Sequence, residues 1–359
     1  MTRMTRREFQ LGSLGAVAAA GPVKALMGEA AMAGEITGPA MTGLAVPEYE
    51  LPVPRSISPQ AQAFLSGAAK RIAAMGDAPP SGDQREAAER ALQMLRPRAA
   101  GFKGKLETIE LDDGVKLYRV IPDGRNVRRA KLAYFDIHGG GFTAGGGEMC
   151  QVLATLRAME YGVEVWSVDY RLAPENVYPA ALDDCMAAWR EVLKHRKAKD
   201  IVAGGASAGG NLVAAMLLRA RDEGLPLPAA LLMLTPGVDM TGAGDSRIAN
   251  RFHDVTLYGG VGDGPVSYAG SADTKHPYLS PVYGDFTKGW VPTLLSSGTR
   301  DVLLSDTVRM HRALRRAVVQ AELHITEAGC HAGFMGTAPE DMELMAECKR
   351  FCEAAWGIA

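Results

Sequence analysis

The chain has 359 residues, a formal net charge of −2 at pH 7 and a 47% share of hydrophobic residues. This length accommodates one large α/β domain or two smaller ones, each with an extensive core. The nearly balanced charge argues against a nucleic-acid-binding protein, because such proteins carry a marked basic excess. The basic run Arg125, Arg128, Arg129 and Lys131 is accordingly interpreted as a solvated turn.

The first 33 residues have the features of an export signal. Residues 5–11 (TRREFQL) contain paired arginines, and residues 11–20 form a weakly apolar stretch rich in Ala and Gly. This stretch is too short to span a membrane as a mature helix, and a twin-arginine signal is indicated. Cleavage after the A-x-A sequence at residues 31–33 would make Gly34 the first mature residue. We therefore expect the Tat export machinery as a partner and a periplasmic or secreted location.

The region 34–105 is expected to hold an extended arm followed by two helices. Its first part is rich in proline, which disfavours regular structure. A Ser-Pro pair then starts a helical pattern over residues 58–75, since serine caps helices and proline fits the first helical position. A second helix is predicted over residues 81–95, and it should end before Pro97.

From residue 106 onwards, strand and helix patterns alternate. The stretches LETIEL and VKLYRVI are separated by Asp112-Asp113-Gly114, which predicts a hairpin. Further strands are predicted over residues 132–137, 163–168, 200–203, 229–234, 291–296 and 322–327, and helices over 148–161, 182–195 and 207–221. This alternation predicts an α/β domain over residues 106–359, with a mostly parallel central sheet covered by helices on both faces.

The stretch GASAGG at residues 205–210 carries the first chemical motif. It matches the G-x-S-x-G nucleophile elbow, and it lies between a predicted strand and a predicted helix, as that motif requires. Small residues on both sides of the serine permit a turn too tight for larger side chains. Ser207 is therefore the candidate nucleophile.

A second motif follows the predicted strand 132–137. HGGGF at residues 138–142 matches the sequence whose backbone amides stabilise an oxyanion in lipases and esterases. We expect the N–H groups of Gly140, Gly141 and Ala208 to form such an oxyanion hole.

These motifs, together with YRLAPE at residues 170–175 and PAALDD at 179–184, make the chain resemble the hormone-sensitive-lipase-like family of serine esterases, also called bacterial group IV. The resemblance runs from about residue 106 to the C-terminus. It implies the α/β-hydrolase fold, a helical N-terminal cap formed within residues 34–105, and a second cap element at residues 237–290. It also implies a homodimer.

The resemblance further indicates an acid and a base. Asp301 stands in a D-x-L loop after a predicted strand and matches the family's acid, and His331 matches its loop histidine. The order Ser207, Asp301, His331 is the chain order of α/β-hydrolases. Asp306 is a rival acid, but it falls inside the next predicted helix, where a surface or capping role is expected.

The chain departs from the family pattern in two places. Ala206 stands where the family usually has Asp or another polar residue, so one polar contact beside the nucleophile is lost. The histidine loop HAGF is one residue longer than the usual HGF, which leaves open where Phe334 lies relative to the acyl pocket. Three aromatic residues of the second cap element could shape specificity, although packing explains them equally well: Phe252, Tyr258 and Tyr268.

The motifs predict a serine carboxylesterase that hydrolyses short- to medium-chain acyl esters through an acyl-enzyme. A lactone or amide hydrolase, or a carbohydrate deacetylase, would use the same residues. A binding protein of this fold, like the plant gibberellin receptors that have lost the triad histidine, is disfavoured because His331 is present. No metal or organic cofactor is needed, and the five cysteines form no C-x-x-C pair that would indicate a zinc site or a disulfide framework.

Overall fold

The computed structural model describes residues 43–75 and 84–358. From Leu51 onwards the described chain forms one compact unit. Residues 43–50 belong to a separate unit, contain no helix or strand and are exposed. The predicted export signal and the start of the predicted arm lie outside the described residues.

Eight strands of the described chain form a single sheet in the order β1-β2-β4-β3-β5-β6-β7-β8. Their bounds are β1 Gly104–Glu110, β2 Lys116–Pro122, β3 Ala133–Ile137, β4 Glu164–Asp169, β5 Ile201–Ala206, β6 Ala230–Leu234, β7 Thr293–Gly298 and β8 Ala321–Thr326. β2 pairs antiparallel with β1 and β4, and all other pairs are parallel. The predicted parallel sheet is therefore confirmed, with β1 as an exposed edge strand.

Five helices had predicted bounds, and each of these begins and ends within four residues of its prediction. The helices of the described chain are α1 Pro59–Met75, α2 Gln84–Ala99, α3 Glu148–Tyr161, α4 Ala180–His195, α5 Ala208–Asp222, α6 Ser246–Ala249, α7 Gly264–Ala269, α8 Leu304–Arg316 and α9 Pro339–Ala355. α2 extends two residues beyond Pro97, where the sequence predicted its end. A proline in the last turn removes only one backbone donor, so the helix can continue for a few residues. In the described part of the chain, no helix is long and apolar enough to cross a membrane.

Both faces of the sheet are buried under helices, as predicted. Alternate residues of β3 point to opposite faces, so Phe135 packs with residues of α4 and α5, whereas Tyr134 packs with residues of α3 and α9. All five cysteines are buried and unpaired. Because the strands from β3 to β8 run parallel, their carboxyl ends meet at one edge of the sheet, where the loops that follow them are brought together.

The basic run 125–131 is only partly a solvated turn. Arg125 lies 3.6 Å from the fully buried carboxylate of Glu164, which also binds Arg119 and Arg196. Arg129 pairs with Glu353 of α9 at 2.6 Å. Because buried charges are retained only when they are paired, these arginines serve the fold, and the prediction of a solvated turn is wrong for them.

Candidate active site

Ser207 stands on a sharp turn between β5 and α5. Its backbone has φ 55° and ψ −120°, a conformation that non-glycine residues rarely adopt and that commonly marks functional sites. The flanking glycines are required by close backbone approaches. A Cβ atom on Gly205 would lie 2.3 Å from the carbonyl oxygen of Gly209, and one on Gly209 would lie 2.0 Å from that of Ile137. The conformation of Ser207 is therefore held by close packing of the neighbouring backbone segments, which only glycine permits at these two positions.

The HGGG stretch follows β3 and lies beside this turn. Among the main-chain hydrogen bonds of the described residues outside helices and strands, none is donated by the N–H of Gly140, Gly141 or Ala208. These three residues and Ser207 line one cavity. The predicted oxyanion donors and the predicted nucleophile are thus brought together.

His138 holds the start of this loop. Its ring stacks on Tyr170 at 4.2 Å between centroids, and the Tyr170 hydroxyl donates to the His138 carbonyl at 3.0 Å. Burial lowers the pKa of His138, which favours the neutral ring. This histidine supports the glycine loop and does not line the cavity.

Asp301 and His331 form a buried pair. His331 Nδ1 lies 3.2 Å from Asp301 Oδ1, and the two side chains come from the loops after β7 and β8. Asp301 also accepts hydrogen bonds from the N–H of Leu303 at 2.8 Å and the hydroxyl of Ser297 at 2.7 Å. His331 shares the cavity with Ser207. The structure therefore brings the three predicted residues to one site.

The electrostatics of the pair favour charge separation. Burial raises the pKa of Asp301, but the attraction of His331 and three hydrogen bonds outweigh it, so this pKa lies below its ordinary value. Burial lowers the pKa of His331, and the negative charge of Asp301 outweighs that effect and raises it. Asp301 is therefore a carboxylate that stabilises an imidazolium on His331.

Asp306, the rival acid, has another function. It is fully buried, so the surface alternative of the predicted surface or capping role is wrong, and it pairs with Arg247 at 2.8 Å. It also accepts the N–H of Asp239 at 3.1 Å. The inner face of α8 places this carboxylate against α6 rather than against His331. Its contacts tie α8 to the segment 237–290.

The cavity beside Ser207 has a volume of about 240 Å³ and a largely apolar wall. Its wall includes Phe142, Met240, Thr256, Leu257, Val261, Pro265, Leu303, Met335 and the guanidinium-bearing Arg247, with Ala87 from α2. A larger depression of about 510 Å³ lies between α2 and the start of α3, and it contains none of the six predicted site residues. Within 43–75 and 84–358, no group of His, Cys, Asp or Glu is arranged to hold a metal ion.

Four aromatic residues discussed from the sequence lie outside this wall. Tyr268 is fully buried and stacks behind Phe142 at 4.2 Å between centroids, while Phe252 is 60% exposed and contacts Tyr258. Phe334 packs against Phe64 of α1 at 5.8 Å. The candidate specificity roles of Phe252, Tyr258 and Tyr268 are therefore wrong as direct contacts, because the backbone turns these side chains into packing sites or solvent.

The structure adds a residue that sequence analysis missed. Asp254 is fully buried, and its carboxylate accepts the backbone N–H of both His331 and Val302 at 3.1 Å. It also accepts from Thr256, two positions later, in an Asx turn. A D-x-T sequence in an aperiodic segment is a weak signal of such a turn, and it does not reveal the contact with His331.

Comparison with known proteins agrees with this geometry. A family model for the alpha/beta hydrolase fold matches residues 134–335. An acetyl-hydrolase of Streptomyces hygroscopicus is 32% identical over 192 residues, which cover 53% of this chain and 62% of that protein. The chain thus spans about three fifths of the length of this curated relative.

Solved structures extend the likeness over most of the described chain. The crystal structure of esterase E25 has a TM-score of 0.76 and 31% identity, covering 86% of this chain and 98% of that one. The hormone-sensitive lipase (HSL) homologue EstE7 from a metagenome library has a TM-score of 0.71 and 32% identity, covering 82% and 98%. Since the family model spans more than half of the chain and these structures are matched almost entirely, the protein belongs to the hormone-sensitive-lipase-like esterase family of the α/β-hydrolase fold.

Proposed function

We propose that this protein is a serine carboxylesterase that cleaves short- to medium-chain acyl esters through an acyl-enzyme. The observation that carries the proposal is the shared cavity of Ser207 and His331, in which the imidazole is bound from behind by the buried carboxylate of Asp301. A serine hydroxyl is a weak nucleophile and needs such a base. The names of the similar proteins, an acetyl-hydrolase and esterases, agree with this chemistry.

In the acylation step, Ser207 Oγ attacks the ester carbonyl carbon and its proton passes to His331 Nε2. The carbonyl oxygen becomes an oxyanion that accepts hydrogen bonds from the N–H groups of Gly140, Gly141 and Ala208. Each such donor contributes roughly 3 kcal/mol to transition-state stabilisation by analogy with measured cases. The bond to the alcohol oxygen then breaks, and that oxygen takes the proton from Nε2.

In the deacylation step, a water molecule attacks the acyl carbon and gives a proton to the same Nε2. The bond between the acyl carbon and Ser207 Oγ breaks, Oγ recovers the proton, and the carboxylic acid leaves. Asp301 holds the Nδ1–H tautomer throughout and stabilises the imidazolium formed in each step. Ser207 and His331 therefore return to their starting protonation states, and water is the only reactant consumed besides the ester.

The size and polarity of the cavity support a small acyl group. Its volume of about 240 Å³ is below the range of roughly 300–1,000 Å³ that holds drug-sized ligands. Apolar side chains such as Leu257, Val261 and Met335 suit a short hydrocarbon chain. Lactones, amides and acetylated sugars could react at the same residues, and they belong in the substrate panel.

The test is a comparison of wild-type protein with Ser207→Ala on p-nitrophenyl esters of increasing acyl length, with lactones, amides and acetylated sugars alongside. We expect highest kcat/KM on the shorter esters and a loss of about 10⁴-fold or more in Ser207→Ala. Ser271→Ala, an exposed serine of the segment 237–290, is the matched control and should keep full activity. Retention of more than a few per cent of kcat in Ser207→Ala would refute the assignment.

We also propose that the protein leaves the cytoplasm through the Tat route and acts in the periplasm or outside the cell. The support is the twin-arginine sequence at residues 5–11, which lies outside the described residues. Replacing Arg6 and Arg7 by Lys should retain the protein in the cytoplasm, because the export receptor recognises the arginine pair rather than its charge. N-terminal sequencing of the exported form should begin at Gly34 or a near neighbour. Unchanged export of the double variant would exclude this route.

A further inference from the structure

The segment between β6 and β7 contributes one fully buried carboxylate to the site, that of Asp254. Its Oδ1 atom accepts the N–H groups of Thr256 at 3.0 Å and Leu257 at 3.1 Å. Its Oδ2 atom accepts the N–H groups of Val302 and His331, both at 3.1 Å. Each oxygen therefore receives two hydrogen bonds.

The Oδ2 atom connects the two loops on which the acid and the base stand. Val302 directly follows Asp301, and these residues are about 30 positions from His331 in the chain. This oxygen links the main chains of both loops to a common point, close to the catalytic pair. The loops are also bonded to each other directly, through the N–H of Arg300 to the Gly329 carbonyl oxygen at 3.0 Å and the N–H of Ala328 to the Thr299 hydroxyl at 2.7 Å. A displacement of the Val302 or His331 main chain would stretch or break one of the bonds to Oδ2, so Asp254 contributes to fixing the distance between acid and base at these two residues.

The four hydrogen bonds also determine the form of Asp254. A carboxylate offers about four lone-pair positions, and all of them are occupied by N–H donors. Protonation of either oxygen would displace one donor and leave it unsatisfied in the interior. Burial and the nearby charge of Asp301 raise the pKa of Asp254 above its ordinary value, and His331 and the N–H donors oppose that rise without cancelling it. The bonded arrangement thus belongs to the ionised carboxylate.

We propose that Asp254 is a positioning residue of the reaction, whose carboxylate clamps the Asp301 and His331 loops in the geometry that proton transfer needs. The proposal rests on the proposed function, in which His331 is the general base. Asp254 touches neither the substrate nor the reacting atoms. It acts through the main chain of His331 and through the negative charge that it places beside the imidazole.

The charged and titratable groups around His331 come from three elements. Asp301 follows β7 and Asp254 lies in the segment 237–290, and both carboxylates raise the pKa of the imidazole. Arg247 of α6 lowers it, and burial opposes the imidazolium. Cys330, whose own thiol pKa burial raises to about 12, remains a neutral neighbour. Removing the charge of Asp254 should therefore lower the pKa of His331.

The first test is Asp254→Asn, which preserves size but replaces one acceptor oxygen by an amide donor and removes the charge. We expect kcat to fall roughly 10- to 100-fold with little change in KM, as for small misplacements of catalytic groups. The rising limb of kcat/KM against pH should also move to lower pH. Circular dichroism and thermal unfolding report whether the variant is folded.

Asp341→Asn is the matched control. Asp341 is a buried carboxylate that accepts the N–H groups of Phe334, Thr337 and Ala338 in the same histidine loop. Its replacement removes a comparable set of hydrogen bonds from this loop, but Asp341 is not among the charges that shift the pKa of His331. The pH midpoint should therefore stay at the wild-type value. Equal shifts in both variants would mean that Asp254 acts only as one more structural brace, which would overturn the proposal.

Asp254→Glu separates geometry from charge. The longer side chain keeps the negative charge but cannot satisfy the same four donors, so we expect a lower kcat with a pH midpoint close to wild type. If Asp254→Asn is folded and retains wild-type kcat and midpoint, the proposal is wrong. If neither Asp254 variant folds, the residue serves folding rather than positioning, and the proposal is equally wrong.

An NMR titration separates this inference from the proposed function. The His331 imidazole signal, assigned by its loss in His331→Ala, should titrate at lower pH in Asp254→Asn than in the wild-type protein, whether or not any ester is hydrolysed. A wild-type protein without esterase activity would refute the proposed function alone. An unchanged His331 titration in Asp254→Asn, in an active protein, would refute the inference alone.

Discussion

The two sides of the cavity are held in different ways. On the serine side, the turn at Ser207 and the glycine loop after β3 are fixed by main-chain packing, with no room for a Cβ atom at Gly205 or Gly209. On the histidine side, the loops that carry Asp301 and His331 are fixed by buried carboxylates that accept backbone N–H groups. The geometry of the serine side is therefore sensitive to added side-chain volume at its glycines. The geometry of the histidine side is sensitive to the ionisation of its buried carboxylates.

The largest effect should follow from removing charge on the histidine side. Asp301→Asn leaves the shape of the site but permits the wrong imidazole tautomer and no longer stabilises the imidazolium, so kcat should fall by about 10⁴-fold. Steady-state kinetics with a good p-nitrophenyl ester measure the loss. A loss below about tenfold would show that the histidine side does not depend on this carboxylate.

The control for that variant is Asp306→Asn. Asp306 is equally buried but pairs with Arg247, so its replacement leaves a largely buried guanidinium without its carboxylate partner. Breaking such a pair costs about 3–5 kcal/mol of unfolding free energy. Chemical denaturation should show this loss, while kcat of the folded protein stays within about tenfold of wild type.

On the serine side, Gly209→Ala should destabilise the fold. Its Cβ would lie 2.0 Å from the Ile137 carbonyl oxygen, and the neighbouring main chain cannot move aside without disturbing β3. We expect the unfolding free energy to fall by about 3 kcal/mol, the upper end for overpacked cores. Gly101→Ala, where nothing lies within 4 Å of the new Cβ, should change it by less than about 1 kcal/mol. Equal stability of the two variants would contradict the packing account.

The pH profile should report the histidine side. Because Asp301 and Asp254 outweigh burial and raise the pKa of His331, kcat/KM should rise through a midpoint above the value of about 6.5 for a free imidazole. Asp301→Asn should move that midpoint to lower pH. A wild-type midpoint below 6.5, or one unaffected by Asp301→Asn, would show that Asp301 does not control the charge of His331.

Asp301 and His331 both stabilise the fold, and their contributions depend on pH in opposite directions. The lowered pKa of Asp301 stabilises the fold above about pH 4, the unfolded value, and this contribution is lost as pH falls through the folded pKa. The raised pKa of His331 stabilises the fold below about 6.5, and this contribution is lost as pH rises through its folded pKa. The pair therefore contributes most between these two values, and the difference in unfolding free energy between wild type and Asp301→Asn should be greatest there.

The smallest effect should come from Ser297→Ala. The variant removes one hydrogen bond to Asp301 Oδ2, worth about 1 kcal/mol, so kcat/KM should fall less than about tenfold. Ser296→Ala is the neighbouring control, because the buried Ser296 hydroxyl has no hydrogen-bond partner within the described part of the chain. That variant should keep both activity and stability. A larger loss in Ser296→Ala than in Ser297→Ala would contradict this view of the Asp301 contacts.

The sheet and its helices could be predicted from the sequence because their hydrophobic periods are local. The helix predicted over residues 148–161 is confirmed to the residue, and the strands shift by only one or two positions at most ends. Ser207 could be singled out for the same reason: its glycines and their strand-to-helix context lie within six residues. The prediction of Asp301 and His331 depended on resemblance to a family, because the sequence around each residue does not indicate which residue it pairs with.

The remaining parts of the site could not be predicted because they depend on contacts between distant segments. Asp254 binds Val302 and His331 across 48 and 77 positions of the chain. In the histidine loop HAGF, the backbone adopts left-handed conformations at Ala332 and Met335, with φ of 62° and 59°. These conformations direct Phe334 toward α1, and Met335 contributes to the cavity wall instead. No periodic pattern records such a change of direction.

The open edge of the sheet at β1 has a consequence for the behaviour of the protein in concentrated solution. An edge strand presents, on its outer side, a row of N–H and C=O groups to which another chain could add, which is a common start of aggregation. Lys105 and Glu107 on one face of β1 and Glu110 on the other place charges where an added strand would have to dock. An added strand would have to desolvate these charges, so they disfavour edge-to-edge association of two copies of the chain at β1.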